Sequence, residues 1–226
     1  IKYLVERHEG KLGCIRPTFE EYPNRCRPDD VVCFWPQNEN FAYDADDVTE
    51  FFKDKDISML VLINPDNPSG NYIGKAELLR IADWCEAKGI RMIADESFAD
   101  FADEEDNSLI DEAILNAHPH LVVVKSISKS YGVPGIRLGV LASADEALIA
   151  GMKKDAAIWN INSFGEFYMQ IAEKYVKNYA AALRKFKATR KTMGEALGGI
   201  PALRVIPSQA NYFMLELTGN VSAREL

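Results

Sequence analysis

Six short apolar runs separated by amphipathic stretches set the strongest constraint on what this chain can fold into. The runs are Leu12–Arg16, Val31–Trp35, Met59–Ile63, Arg91–Ala94, Leu121–Lys125 and Leu138–Ala142. Each is short for a packed helix and long enough for a buried strand. Between them, Lys75–Lys88 places Leu78, Leu79, Ile81, Ala82 and Cys85 on one helical face, with Gly89 as its C-terminal stop. Leu109–Asn116 reads as a shorter helix, and Ala144–Lys153 as another capped by Ser143. This alternation predicts an α/β fold, a mainly parallel sheet with helices on both faces.

The pattern changes from Ser163 onward. Phe164, Tyr168, Ile171, Tyr175, Tyr179, Leu183 and Phe186 recur every three or four residues, which predicts one long amphipathic helix broken near Gly198-Gly199. Such an aromatic stripe is far more often core packing than a ligand box, and core packing is expected here. Leu203–Ile206 and Tyr212–Leu217 read as strands that start a small α+β C-terminal domain. The expected division is residues 1–160 as a large domain and residues 161–226 as connecting helix plus small domain. Helical spacing is already present at Ile1, Leu4 and Val5 with no capping residue before them, and Arg224-Glu225-Leu226 reads as the inside of another helix. A chain with such ends is expected to be a piece of a longer protein.

Charge narrows the range of partners. A formal net charge of −8 argues against nucleic acid, because phosphate neutralisation needs clustered Lys and Arg. No apolar run approaches membrane-spanning length. Cys14, Cys26, Cys33 and Cys85 show neither C-x-x-C pairing nor His-linked spacing. They read as buried free thiols of a cytoplasmic protein, with no structural zinc.

Three segments carry chemistry. In Ser126-Ile-Ser-Lys-Ser-Tyr-Gly-Val-Pro-Gly-Ile-Arg-Leu-Gly139, Lys129 sits in a hydroxyl-rich turn straight after an apolar run, and Arg137 follows eight residues later. An amine beside hydroxyls and a guanidinium suits a phosphorylated aldehyde cofactor: the amine forms a Schiff base, while Ser and Arg hold the phosphate. In Asn64-Pro-Asp-Asn-Pro-Ser-Gly70, two Asn-Pro pairs end a strand and leave Asn64 and Asn67 at the carboxyl edge of the sheet. By itself that string is more often a plain strand-ending turn. In Ala94-Asp-Glu-Ser-Phe98 an acidic pair closes a buried strand, either as a helix-capping carboxylate or as an anion facing a cationic ligand such as a pyridinium N–H. His8, His118 and His120 lie elsewhere, so a metal would be short of ligands there.

Together, in this order and spacing, the three segments resemble the fold type I pyridoxal-phosphate-dependent aminotransferases of class I/II. The branch near histidinol-phosphate aminotransferase and threonine-phosphate decarboxylase is the most similar. The resemblance runs from Pro17-Thr-Phe19 to Ser208-Gln-Ala-Asn-Tyr212. It implies pyridoxal 5'-phosphate bound to Lys129, which would also move protons, and Asp95 paired with the pyridine nitrogen. It further implies Asn67 on the phenolic oxygen, and Ser126, Ser128 and Arg137 on the phosphate. Phe19 would stack on the ring, though it serves equally well as a core aromatic. The implied activity is transfer of an amino group between an amino acid or amino-phosphate compound and a 2-oxo acid, by a homodimer. A decarboxylase of the threonine-phosphate type and a non-catalytic aminotransferase-like module remain the alternatives.

The chain departs from the family pattern in three places. Phe98 stands where the family usually has Tyr, whose hydroxyl donates to the phenolic oxygen. Losing a hydrogen bond to a charged group predicts a raised pKa of the cofactor linkage, by roughly one to two units. The glycine-rich phosphate loop is expected upstream of Ile1, and the arginine for the substrate α-carboxylate is expected after residue 226. Residues 1–226 alone are therefore expected to retain cofactor weakly and to turn over negligibly.

Overall fold

The computed structural model describes residues 1–220 and 222–225. Six strands form the main sheet: β1 (Leu12–Ile15), β2 (Val31–Phe34), β3 (Met59–Ile63), β4 (Arg91–Asp95), β5 (Leu121–Ser126) and β6 (Gly139–Ala142). Their order is β2-β1-β3-β4-β5-β6, parallel except for β6, which runs antiparallel to β5. Each predicted strand is present: β3 matches the prediction, and the other five differ by one residue at one end. Two of these shifts matter, because Asp95 and Ser126 become the last residues of β4 and β5 and are held by the sheet.

All five residues of β3 are buried, yet alternate residues serve different layers. Leu60 and Leu62 pack with α2 (Ala45–Phe52) and α3 (Lys75–Lys88) through Val48, Phe52, Leu78 and Ile81. Met59, Val61 and Ile63 pack on the opposite face with Leu4 and Val5 of α1 (Lys2–Glu6) and with Tyr22. A strand covered on both faces reads as an unbroken apolar run, which is why the sequence shows no alternation there. Helix α3 ends at Gly89, whose φ of 68° lets its N–H reach back to the carbonyls of Cys85 and Glu86.

Several expectations need correction. Helix α4 spans Glu112–Ala117 and is capped by Asp111, while Leu109 lies before it in a buried loop. Helix α6 (Glu146–Asp155) is capped by Asp145, since the Ser143 hydroxyl donates to the Leu121 carbonyl instead. Lys129 lies in a four-residue helix, α5 (Ile127–Ser130), rather than in an open turn. The expected long helix is two, α7 (Ser163–Ala172) and α8 (Val176–Gly198), separated by a 3-10 turn at Glu173–Tyr175 that no Gly or Pro marks. Its aromatic stripe also divides. Leu183 and Phe186 pack on Phe98 and Phe101, whereas Phe164 of α7 is 80% and Tyr175 of the turn 56% exposed, because α7 is covered on one side only, where Gly165 meets Leu138. Cys14 and Cys85 are buried, but Cys26 and Cys33 are only half-buried; all four thiols are free.

A separate antiparallel pair, β7 (Leu203–Val205) and β8 (Leu215–Leu217), lies against α8; both strands are shorter than predicted. Arg190 of α8 ties this region to the main sheet by donating to the carbonyls of Phe101 and Gln209 at 2.6 and 2.7 Å and pairing with Asp103 at 2.7 Å. At the chain's end Ala223–Glu225 form a turn, and Leu226 lies outside the described residues.

Candidate active site

The carboxyl ends of β3, β4 and β5 open into a cleft of about 640 Å³. Every residue that the resemblance assigns to the cofactor lines it, as does Phe98: Phe19, Asn67, Asp95, Phe98, Ser126, Ser128, Lys129 and Arg137. Ligands of open α/β sheets bind at this edge because the strands end there and the following loops diverge.

Lys129 is exposed on α5, with its Nζ 5.5 Å from the centre of the Phe98 ring. The neighbouring Lys125 also lines the cleft, but its ammonium pairs with Asp100. Asp100 accepts in addition from the hydroxyls of Ser130 and Tyr179, the latter at 2.7 Å. The Lys125 charge and these donors hold the Asp100 carboxyl below its usual range although burial opposes them. Of the two lysines, Lys129 is the one with no ion pair among the described residues. Asp100 thereby fixes both ends of the segment that carries Lys129.

The acidic pair separates by function. Asp95 is 5% exposed and faces the cleft, where it accepts from Tyr22 Oη at 2.7 Å and from the Ser97 N–H at 3.0 Å. Glu96 points away into the protein, accepting from the Ser108 hydroxyl and the Leu109 N–H. Burial raises the Glu96 carboxyl, and these donors offset part of that rise. Glu96 caps no helix, since Leu109 lies in the loop before α4 and Asp111 caps that helix, and Asp95 alone of the pair lines the cleft.

The two Asn-Pro asparagines separate in the same way. Asn64 is buried and exchanges two hydrogen bonds with the backbone of Ile73, at 2.9 and 2.8 Å, so it closes the loop and is withdrawn from the ligand edge. Asn67 remains on the cleft wall. Gly70 ends the loop with φ +78°, and a side chain there would collide with Ser208, whose following residue donates its N–H to the Gly70 carbonyl.

Arg137 has φ 57° and ψ 46°, a left-handed conformation rare outside glycine. Its exposed guanidinium makes one bond, to the Pro134 carbonyl at 3.1 Å, which leaves several donors facing the cleft. Backbone held this way raises the local energy by about 1–3 kcal/mol and marks functional positions. Ser128 is 8% exposed, Ser126 directly precedes α5 without a side-chain capping bond, and Phe19 stands edge-on to Tyr22 at 6.5 Å. An amine, two hydroxyls, a guanidinium, an amide, a carboxylate and an aromatic ring thus surround one cleft. That donor set fits a phosphorylated pyridine aldehyde. No group of three or more His, Cys, Asp or Glu is placed to hold a metal among the described residues.

The aminotransferase class I and II family model matches residues 14–226. This chain belongs to that family. Its cofactor is pyridoxal 5'-phosphate. Similar curated proteins include an L-serine phosphate decarboxylase from Sulfurospirillum multivorans, 33% identical over 99% of this chain and 58% of its own length. Another is a CMP-5'-(3-aminopropyl)phosphonate synthase from Streptomyces rubellomurinus, 32% identical over 99% of this chain and 35% of its own. The chain thus spans roughly a third to three-fifths of these relatives. Among solved structures, the histidinol-phosphate aminotransferase from Clostridium acetobutylicum superimposes with a TM-score of 0.85 at 25% identity, covering 99% of this chain and 66% of that one.

Sequence reasoning missed Tyr22, Ser97 and Asp100. Ser97 was within reach, being the third residue of the Asp-Glu-Ser string. Tyr22 and Tyr179 carry no local signal, since each meets its carboxylate more than seventy residues away.

Phe98 lies 7% exposed in the cleft wall, edge-on to Tyr212 at 5.1 Å. Phe98→Tyr in the cofactor-loaded protein is expected to lower the midpoint of the spectrophotometric titration by roughly one to two pH units, through a new hydrogen bond to the phenolic oxygen. An unchanged midpoint would refute that donor role.

Proposed function

We propose that the protein decarboxylates a phosphorylated amino acid of the L-serine phosphate kind, using pyridoxal phosphate held on Lys129. The observation that carries the reading is the convergence of Lys129, Asp95 and the Ser126–Ser128–Arg137 anion cup on one cleft. Identity of 33% to an L-serine phosphate decarboxylase over nearly the whole chain supports this choice of reaction above amino-group transfer, the activity expected from the motifs. Residues 1–160 would supply the cofactor cradle, with residues 161–226 as connecting helix and small domain.

When bound, the cofactor supplies an electron sink for the pair left on Cα. Ser126, Ser128 and Arg137 would bind its phosphate through charge-assisted hydrogen bonds. Asp95 would keep the ring nitrogen protonated, Asn67 would donate to the phenolic oxygen, and Phe19 would cover the ring. Lys129 would hold the cofactor, and its amine, freed when substrate binds, would carry the proton that Cα receives in place of the carboxylate. Carbon dioxide and an amine leave.

Supplying L-serine phosphate to the cofactor-loaded protein should release carbon dioxide and 2-aminoethyl phosphate in equal amounts, with no added acceptor. A 2-oxo product that depends on an added 2-oxo acid, without carbon dioxide, would establish transamination instead. That second reading draws its support from the likeness to the histidinol-phosphate aminotransferase.

The same reading includes a second copy of the chain. Ile158 and Trp159 are 93% and 90% exposed, and Phe164 and Phe167 extend the patch along α7. Contiguous apolar surface of this kind marks contact sites. Sedimentation should show a dimer that Trp159→Asp dissociates; a native monomer would exclude this interface. Four free thiols suit a reducing compartment such as the cytoplasm. No helix among the described residues is long and apolar enough to cross a membrane.

A further inference from the structure

We propose that Tyr22 is a positioning residue for Asp95: its hydroxyl fixes the one carboxylate oxygen that remains open to the cofactor ring. The proposal rests on the assignment of Asp95 to the ring nitrogen. An ionised carboxylate offers about four acceptor positions, two on each oxygen. Both Ser97 donors, the backbone N–H and the hydroxyl, go to Oδ1 of Asp95 and fill it. Oδ2 accepts from Tyr22 at 2.7 Å, which leaves it a single open position. The atom that would receive the ring N–H is therefore the atom that Tyr22 also holds.

The surroundings of Tyr22 sharpen this role. The residue is 0% exposed and packs among Leu12, Cys14, Met59 and Ile63. No solvent competes for its hydroxyl, and hydrogen bonds gain strength in such a medium. Burial, reinforced by the negative charge of Asp95, pushes the Tyr22 hydroxyl far above its ordinary range, so it stays a donor at every working pH. Tyr22 also stands edge-on to Phe19, so one short segment carries both the carboxylate's anchor and an aromatic wall of the cleft.

Held at both oxygens, the Asp95 carboxylate cannot rotate about its Cβ–Cγ bond. Removing the donor at Oδ2 frees that rotation and weakens the contact that keeps the ring proton on nitrogen. A tyrosine that only filled space would be replaced by phenylalanine with no electronic consequence, since the two rings pack alike.

The test uses the purified protein saturated with pyridoxal phosphate labelled with ¹⁵N in the ring. In the native protein the ring resonance should lie at the protonated position. Tyr22→Phe should move it toward the unprotonated position and weaken cofactor binding on the order of tenfold, the equivalent of one hydrogen bond to a charged group. Difluorotyrosine at position 22 keeps the shape and strengthens the donor, so it should leave the ring protonated and binding intact. Asp95→Asn reports on the underlying assignment and should remove the protonated signal altogether. If Asp95→Asn does so while Tyr22→Phe changes neither shift nor affinity, the role of Tyr22 is overturned and that of Asp95 stands. A protonated ring in Asp95→Asn would overturn both.

Discussion

Lys129→Ala is expected to reduce turnover by about 10⁴-fold, because in the proposed function one amine would both hold the cofactor and move the proton at Cα. Reduction with borohydride followed by peptide mapping should find the cofactor fixed to Lys129 in the native protein and to no lysine in the variant. Lys125 is the informative control. It borders the same cleft four residues away, yet its ammonium is paired with Asp100 and is poorly placed to attack an aldehyde. Recovery of label on Lys125 in the native protein would mean that the two lysines have been assigned the wrong way round.

Asp66→Asn is expected to change the pH dependence of stability. Asp66 is 2% exposed in the loop that carries Asn67, and its carboxylate accepts from the Ser69 hydroxyl at 2.6 Å. Burial raises its pKa from 3.8 to about 7, with the Ser69 and Asn67 donors opposing. The sign follows from proton counting. Between about pH 4 and pH 7 the folded chain keeps this proton while the unfolded chain has lost it, so stability falls as pH rises. The slope approaches 1.4 kcal/mol per pH unit, and the loss is complete above pH 7, totalling about 4 kcal/mol at most. The asparagine variant lacks this dependence. Urea unfolding at pH 4 and pH 8 should show the variant gaining on the native protein at the higher pH. A stability difference that stays constant between the two would show that Asp66 does not titrate in this window.

Much of the fold was legible because its strands are apolar runs enclosed by helices on both sides. Met59–Ile63 matched residue for residue, since no polar residue interrupts the run. Helix α2 was missed: only Ala45, Val48, Phe51 and Phe52 mark its inward face, and the surer sign was reciprocal capping between Asp44 and Asp47. The break before α8 and the bareness of α7 left no mark, because exposure depends on what covers a face and a periodic stripe records only that the face exists. At the site, Lys129, Asp95, Asn67 and Arg137 could be located from segments whose residues are neighbours in sequence. Asn64 was placed at the ligand edge for the same reason, although the backbone of Ile73 claims it. The anchors Tyr22 and Tyr179 were illegible, being single tyrosines whose partners arrive only when distant parts of the chain come together.

Asp100 has a mechanical consequence. One carboxylate gathers a lysine from β5, a serine from α5 and a tyrosine from α8, so the reactive amine and the start of the long helix are riveted to a common point. Bending of the protein around a substrate would then leave this junction stiff. The Lys129 segment would keep its aim while parts of the chain not tied to this point move.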